Sequence, residues 1–132
     1  MMENSSQFRS NQRQARGLGS AKEGTHHWLA QRITALALIP LTVWLVFSLI
    51  SLSLQTHLDF ILWLSHPVSG TLMILFLLVA FHHGQLGIQV VMEDYIPNLN
   101  IRGPLIILTK FSSYFLATLG VVSVLKVIFE GL

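Results

Sequence analysis

Two adjacent histidines, His82 and His83, follow directly on the apolar run TLMILFLLVAF, and the segment they open closes on Asp94 and Tyr95. Ionisable groups inside a hydrophobic segment are costly and mark ligand binding or proton chemistry. Each residue advances about 100° around a helix, so the step from His83 to Asp94 overshoots three whole turns by only about 20°. The two therefore share a face, and Gly87 lies on it one turn past His83. His82 is turned away by about 100°. The spacing presents one imidazole to something flat and bulky, with a glycine leaving room where a side chain would collide. A porphyrin meets that description, because neutral imidazole is a normal ligand of haem iron. The alternative is a histidine that only hydrogen-bonds to a neighbouring helix.

A haem with six-coordinate iron needs two axial ligands at similar depth. The other long apolar segments contain neither histidine nor methionine, and His26, His27, His57 and His66 fall at or outside the membrane interfaces. Any second ligand must come from another chain, which places a haem between subunits. A rival metal site of His82, His83 and Glu93 is disfavoured, since helical metal ligands usually stand three or four residues apart on one face.

Asp94 and Tyr95 end their segment at the same membrane surface where Arg32 opens the first one, with His26 just ahead of it. A phenol, a carboxylate, a guanidinium and an imidazole are the groups needed to hold a polar head whose tail lies in lipid. A quinone is such a ligand: its carbonyls need hydrogen-bond donors, and its reduction needs protons. Taken singly, each residue also suits interfacial anchoring or topology.

These groups must be positioned by membrane helices. The chain has 132 residues, of which 52% are apolar and 11% charged, with a mean hydropathy of +0.63. A single soluble core of this size could not hide so much apolar surface. Three windows, 33–54, 68–92 and 105–129, are each long enough to cross a hydrocarbon core of about 30 Å. Between the first two, QTHLDFILWLSHP reads as a short interfacial segment, with aromatic residues suited to the headgroup level. EDYIPNLNIRGP, with Pro97, Asn98, Asn100, Gly103 and Pro104, reads as a turn-rich connection. Residues 1–27 form a polar, basic arm, and residues 28–132 an all-α membrane domain.

Lys and Arg concentrate in the arm (Arg9, Arg13, Arg16, Lys22) and at Arg102, while the first connection has none. This bias predicts a cytoplasmic N-terminus in a bacterial inner membrane, or a matrix-facing one in the mitochondrial inner membrane. Lys110 and Lys126, near the ends of the third span, can snorkel to the interface. No cleavable signal is expected, since the first long apolar run begins late and lacks a small-residue cleavage site. The absence of cysteine excludes disulfides and covalently attached c-type haem. The basic arm lacks interleaved aromatic residues, which argues against nucleic acid as a partner.

HHGQLGIQVVMEDY together with GLGSAKEGTHHWLAQRITALALIPL resembles the small hydrophobic membrane-anchor (D) subunits of succinate dehydrogenase, which include cytochrome b556-type anchors. The resemblance rests on His83, Gly87, Asp94 and Tyr95 in one spacing and on an Arg-x-Thr-Ala run at Arg32, Thr34 and Ala35. It covers residues 17 to about 97, and the third span matches only in hydrophobicity.

The resemblance implies half of a heterodimeric anchor bundle that binds haem b and ubiquinone. Its partners would be a second membrane anchor (a cytochrome b subunit), an iron-sulfur subunit and a flavoprotein that oxidises succinate. By resemblance His83 is an axial haem ligand and Gly87 borders the haem. Tyr95 bonds a quinone carbonyl, Asp94 lies beside that pocket, and Arg32 is near both the haem propionates and the pocket. His26 also matches a histidine near this surface. The chain would be no enzyme on its own but would contribute to the quinone site of respiratory complex II, linking the tricarboxylic acid cycle to electron transport. The alternatives are a fumarate reductase anchor and a small non-redox assembly or transport subunit.

Overall fold

The computed structural model describes residues 19–130, with side chains from Gly24 onward. Arg9, Arg13 and Arg16 of the basic arm lie outside the described residues. The described chain is all helical: α1 (Gly19–Leu52), α2 (His57–Ser65), α3 (Pro67–Tyr95) and α4 (Leu99–Glu130). The chain divides at Ala30 and Gln31 into two units. The first contributes the opening stretch of α1, which includes His26, exposed on the helix. The second holds everything from Gln31 onward.

The three expected spans are present: 68–92 and 105–129 each fall within a longer helix, whereas 33–54 runs two residues past the end of α1 at Leu52 into a turn; α1, α3 and α4 are long and apolar enough to cross a membrane. At 1.5 Å per residue the 29 residues of α3 extend about 44 Å, beyond a hydrocarbon core of about 30 Å. Their ends therefore reach the headgroup region, where unpaired terminal backbone groups meet water. Pro40, inside α1, has no N–H for the Leu36 carbonyl, a loss that membrane helices tolerate where neighbours or water re-satisfy the backbone.

The interfacial segment is a nine-residue helix, α2. It is opened by a capping box: Asp59 N–H donates to Thr56 Oγ1 at 3.3 Å, and Thr56 N–H donates to Asp59 Oδ2 at 3.0 Å. The Thr56 hydroxyl also donates to Asp59 Oδ2 at 2.6 Å. That hydroxyl and the Thr56 backbone N–H hold the Asp59 carboxyl below its ordinary range. His66 ends α2 and starts α3, its Nδ1 accepting from Val68 N–H at 3.3 Å with Pro67 in the first turn. Trp44 of α1 and Trp63 of α2 stack with ring centroids 5.7 Å apart.

The second connection is shorter than its composition suggested. Only Ile96–Asn98 is non-helical, and Asn100, Gly103 and Pro104 lie in the first turns of α4. Asn98 makes this possible: its Oδ1 accepts from Asn100 N–H at 3.0 Å, and its carbonyl accepts from Arg102 N–H at 2.9 Å. Pro104 then deprives only the Asn100 carbonyl, on an exposed residue at the helix start. Arg102 Nη1 donates to the Glu93 carbonyl at 3.2 Å and ties the two helix ends together.

α3 and α4 form the closest helix pair. Small residues permit this: a Cβ on Gly70 would lie 2.9 Å from Ile128 Cδ1 and 2.9 Å from the Leu64 carbonyl oxygen. At Gly120 it would lie 3.2 Å from Leu77 Cδ1. Lipid tails are as apolar as leucine, so such close approach and van der Waals fit, rather than the hydrophobic effect, drive the pairing. The buried apolar core is small, comprising Leu41, Leu64, Leu86, Ala117 and Val124. Most large apolar side chains point outward, as expected of helices that meet lipid or other subunits.

Candidate functional site

The face carrying His83 and Gly87 turns toward α1. His83 Nδ1 lies 3.0 Å from Thr34 Oγ1, and a Cβ on Gly87 would lie 3.6 Å from Gln31 Nε2. The register is antiparallel: three residues forward on α1, from Gln31 to Thr34, correspond to four residues back on α3. The helical phase read from spacing thus holds for this pair. His83 is half-buried, and His82 is half-buried one residue around the helix.

Two companions of the histidine come from α1. Thr34 Oγ1 also donates to the Gln31 carbonyl at 3.2 Å, the carbonyl three residues back. Gln31 Oε1 is buried without a hydrogen-bond partner. A buried unsatisfied acceptor costs on the order of 1–3 kcal/mol. Sequence reasoning singled out Thr34 only as part of a motif and did not single out Gln31. The usable signal was their three-residue spacing, which puts both on one face of α1.

The remaining site residues lie toward the same end of the helices. Asp94 and Tyr95 occupy the last turn of α3 and are exposed, Tyr95 at 81%. Arg32 is exposed on α1 next to Gln31. His83 and Gly87 are thus brought against α1, whereas Asp94 and Tyr95 face outward from this chain.

A second polar row runs along α3. Gln85 Nε2 donates to Gln89 Oε1 at 3.1 Å, and Gln89 Nε2 donates to Glu93 Oε1 at 2.8 Å. Gln85 is buried at 3% exposure, so this ladder satisfies an amide inside the span and carries it to the helix end. Thr109 of α4 adds a weak hydroxyl contact to Met92 Sδ at 3.8 Å. Among the described residues no three His, Cys, Asp or Glu side chains converge as a metal cluster.

Fold and site define a three-span helical membrane protein with one intramembrane imidazole held against a neighbouring helix and a polar rim at the end of the spans. The model of the succinate dehydrogenase/fumarate reductase transmembrane subunit family matches residues 7–124, and the chain belongs to that family. It is similar to the succinate dehydrogenase hydrophobic membrane anchor subunit of Rickettsia bellii (strain RML369-C), with 36% identity over 118 residues, 89% of this chain and 94% of that protein. The subunit of the same name from Rickettsia conorii (strain ATCC VR-613 / Malish 7) is 35% identical over 97 residues, 73% of this chain and 77% of that protein. No solved structure matches the chain significantly.

Proposed function

We propose that this chain is the hydrophobic membrane anchor of a succinate dehydrogenase, binding haem b jointly with a second anchor and forming part of a ubiquinone-reduction site. The observation that carries the reading is the His83–Gly87 face. It offers an imidazole beside a position without a side chain, and Gln31 contributes a buried, unsatisfied amide oxygen nearby. The donor type would suit a haem iron, and His83 is half-buried within the span. Bound there, haem b supplies a one-electron redox centre.

This chain's own residues would do the following. His83 would hold the haem iron through its imidazole, with the second ligand supplied by the partner anchor. Gly87 presents no side chain beside the imidazole, and Gln31 of α1 lies against it. Arg32, exposed at the rim, offsets the charge of the haem propionates and approaches the quinone pocket. Tyr95 donates its hydroxyl proton to a quinone carbonyl, which orients the head group. Asp94 beside it, or His26, moves protons from the aqueous side. Reduction of a quinone to a quinol takes two electrons and two protons; the electrons originate in succinate oxidation by the flavoprotein and pass through the iron-sulfur subunit. The outward exposure of Asp94 and Tyr95 suits a pocket completed by other subunits. Bacterial relatives and the basic bias of the N-terminal side support the bacterial inner membrane, with the N-terminus in the cytoplasm.

The test is a reduced-minus-oxidised spectrum of the purified complex. A b-type signal is expected in the wild type and in His82→Ala, and its loss in His83→Ala. A spectrum abolished by His82→Ala and untouched by His83→Ala would reverse the ligand assignment, and no b-type signal in the wild type would refute haem binding.

A further inference from the structure

We infer that Thr34 is a positioning residue that fixes His83 in the tautomer protonated at Nδ1, leaving the Nε2 lone pair for iron. The inference rests on the haem reading above and concerns how the ligand is set.

The argument begins with the hydroxyl. Thr34 Oγ1 lies 3.2 Å from the Gln31 carbonyl and 3.0 Å from His83 Nδ1. A carbonyl can only accept, so the bond to Gln31 forms only when it takes the single hydroxyl proton. The oxygen's lone pairs then face Nδ1, and a hydrogen bond forms only if Nδ1 carries the proton. A neutral imidazole has one donor and one acceptor nitrogen, so Nε2 is left with the lone pair. The opposite arrangement, with the hydroxyl donating to Nδ1, would put the proton on Nε2 and close that nitrogen to a metal. Iron at Nε2 and the bond from Thr34 to Gln31 therefore select the same tautomer.

The bond has a second consequence. A ligating histidine that donates its other N–H is oriented and made more basic, and that stabilises the oxidised metal. A threonine hydroxyl on the adjacent helix is thus both an orienting contact for the ring and a control on the reduction potential, a lever that a hydrogen bond to the ligating ring supplies in haem proteins. Because the acceptor sits on α1 and the ligand on α3, the same bond couples the packing of these helices to ligand geometry.

The experiment uses the assembled complex carrying Thr34→Val, which keeps the shape and deletes the hydroxyl, and Thr34→Ser, which keeps the hydroxyl and deletes the methyl. His83→Ala serves as the control. The readouts are the haem b midpoint potential and the low-spin electron paramagnetic resonance signal, with complex integrity followed by native electrophoresis. Thr34→Val is expected to raise the potential and shift the resonance signal, and Thr34→Ser to stay near the wild type. Loss of haem from an intact Thr34→Val complex, with haem retained in Thr34→Ser, supports the same conclusion. Identical potentials in all three proteins would overturn it, as would equal haem loss in both variants, which would assign the effect to packing. If the wild type shows no b-type haem, or His83→Ala keeps it, the haem reading itself fails, whatever the Thr34 variants show.

Discussion

Gly87 and Gln31 face one another across α3 and α1, with a Cβ on Gly87 placed 3.6 Å from Gln31 Nε2. That is ordinary van der Waals contact, so Gly87→Ala fits without rearrangement. A larger side chain must displace Gln31, whose Oε1 is already buried and unsatisfied, and disturb the turn that holds His83. A complex carrying Gly87→Ala is therefore expected to keep its b-type spectrum, and one carrying Gly87→Leu to lose or distort it. Equal spectra from the two would show that the space beside His83 is not limiting.

Gly70 leaves less room for a side chain than Gly120 does. A methyl there meets both the Leu64 carbonyl oxygen and Ile128 Cδ1 at 2.9 Å, and the first is backbone that cannot swing aside. Overpacking of this kind typically costs about 1–3 kcal/mol. At Gly120 the same methyl needs only a few tenths of an ångström from the flexible Leu77 side chain. Thermal unfolding of the detergent-solubilised complex should show Gly70→Ala clearly less stable than Gly120→Ala. The reverse order would mean that the helices cross elsewhere.

The cap of α2 has a pH dependence with a definite sign. The Asp59 carboxyl is held below its ordinary value by the hydroxyl and backbone N–H of Thr56. A depressed acid contributes stability that is complete above its unfolded value, 3.8, and is lost as pH falls through the lower folded value. Hydrogen exchange over residues 57–65 should be unchanged from neutral pH to about pH 5, once corrected for intrinsic rates, and protection should fall under stronger acid. Asp59→Asn should remove that pH dependence; if it persists in the variant, another group controls the helix.

Tyr95→Phe keeps the ring and its interfacial packing while deleting the hydroxyl. Loss of one hydrogen bond to a bound ligand typically costs about 0.5–1.5 kcal/mol, or roughly a 2- to 13-fold loss where the bond serves binding or the transition state. Succinate-to-quinone turnover is expected to fall by at least that factor, with haem retained and electron delivery to an artificial acceptor upstream nearly intact. Equal loss in both assays would point to assembly, and unchanged quinone turnover would remove Tyr95 from the site.

The sequence by itself determined the three spans and the helical phase of the central one. Long apolar runs have only one way to satisfy their backbone in lipid, and the 3.6-residue period places His83 and Gly87 on one face whatever the neighbours are. It also determined that the other spans offer no histidine or methionine, because that is a matter of composition. What the sequence could not decide was which helix that face would meet. Polar residues on α3 such as His83 and Gln85 mark faces that pack inside but not the helix each will meet, because pairing in a membrane rests on shape. Only the tertiary structure brought Thr34 to 3.0 Å from His83 and Gln31 opposite Gly87. It also showed Gly70 and Gly120 as points of close contact between α3 and α4, and α4 beginning at Leu99 rather than beyond Pro104. In that last case a local cap from Asn98 outweighed the turn-forming composition of the residues after it.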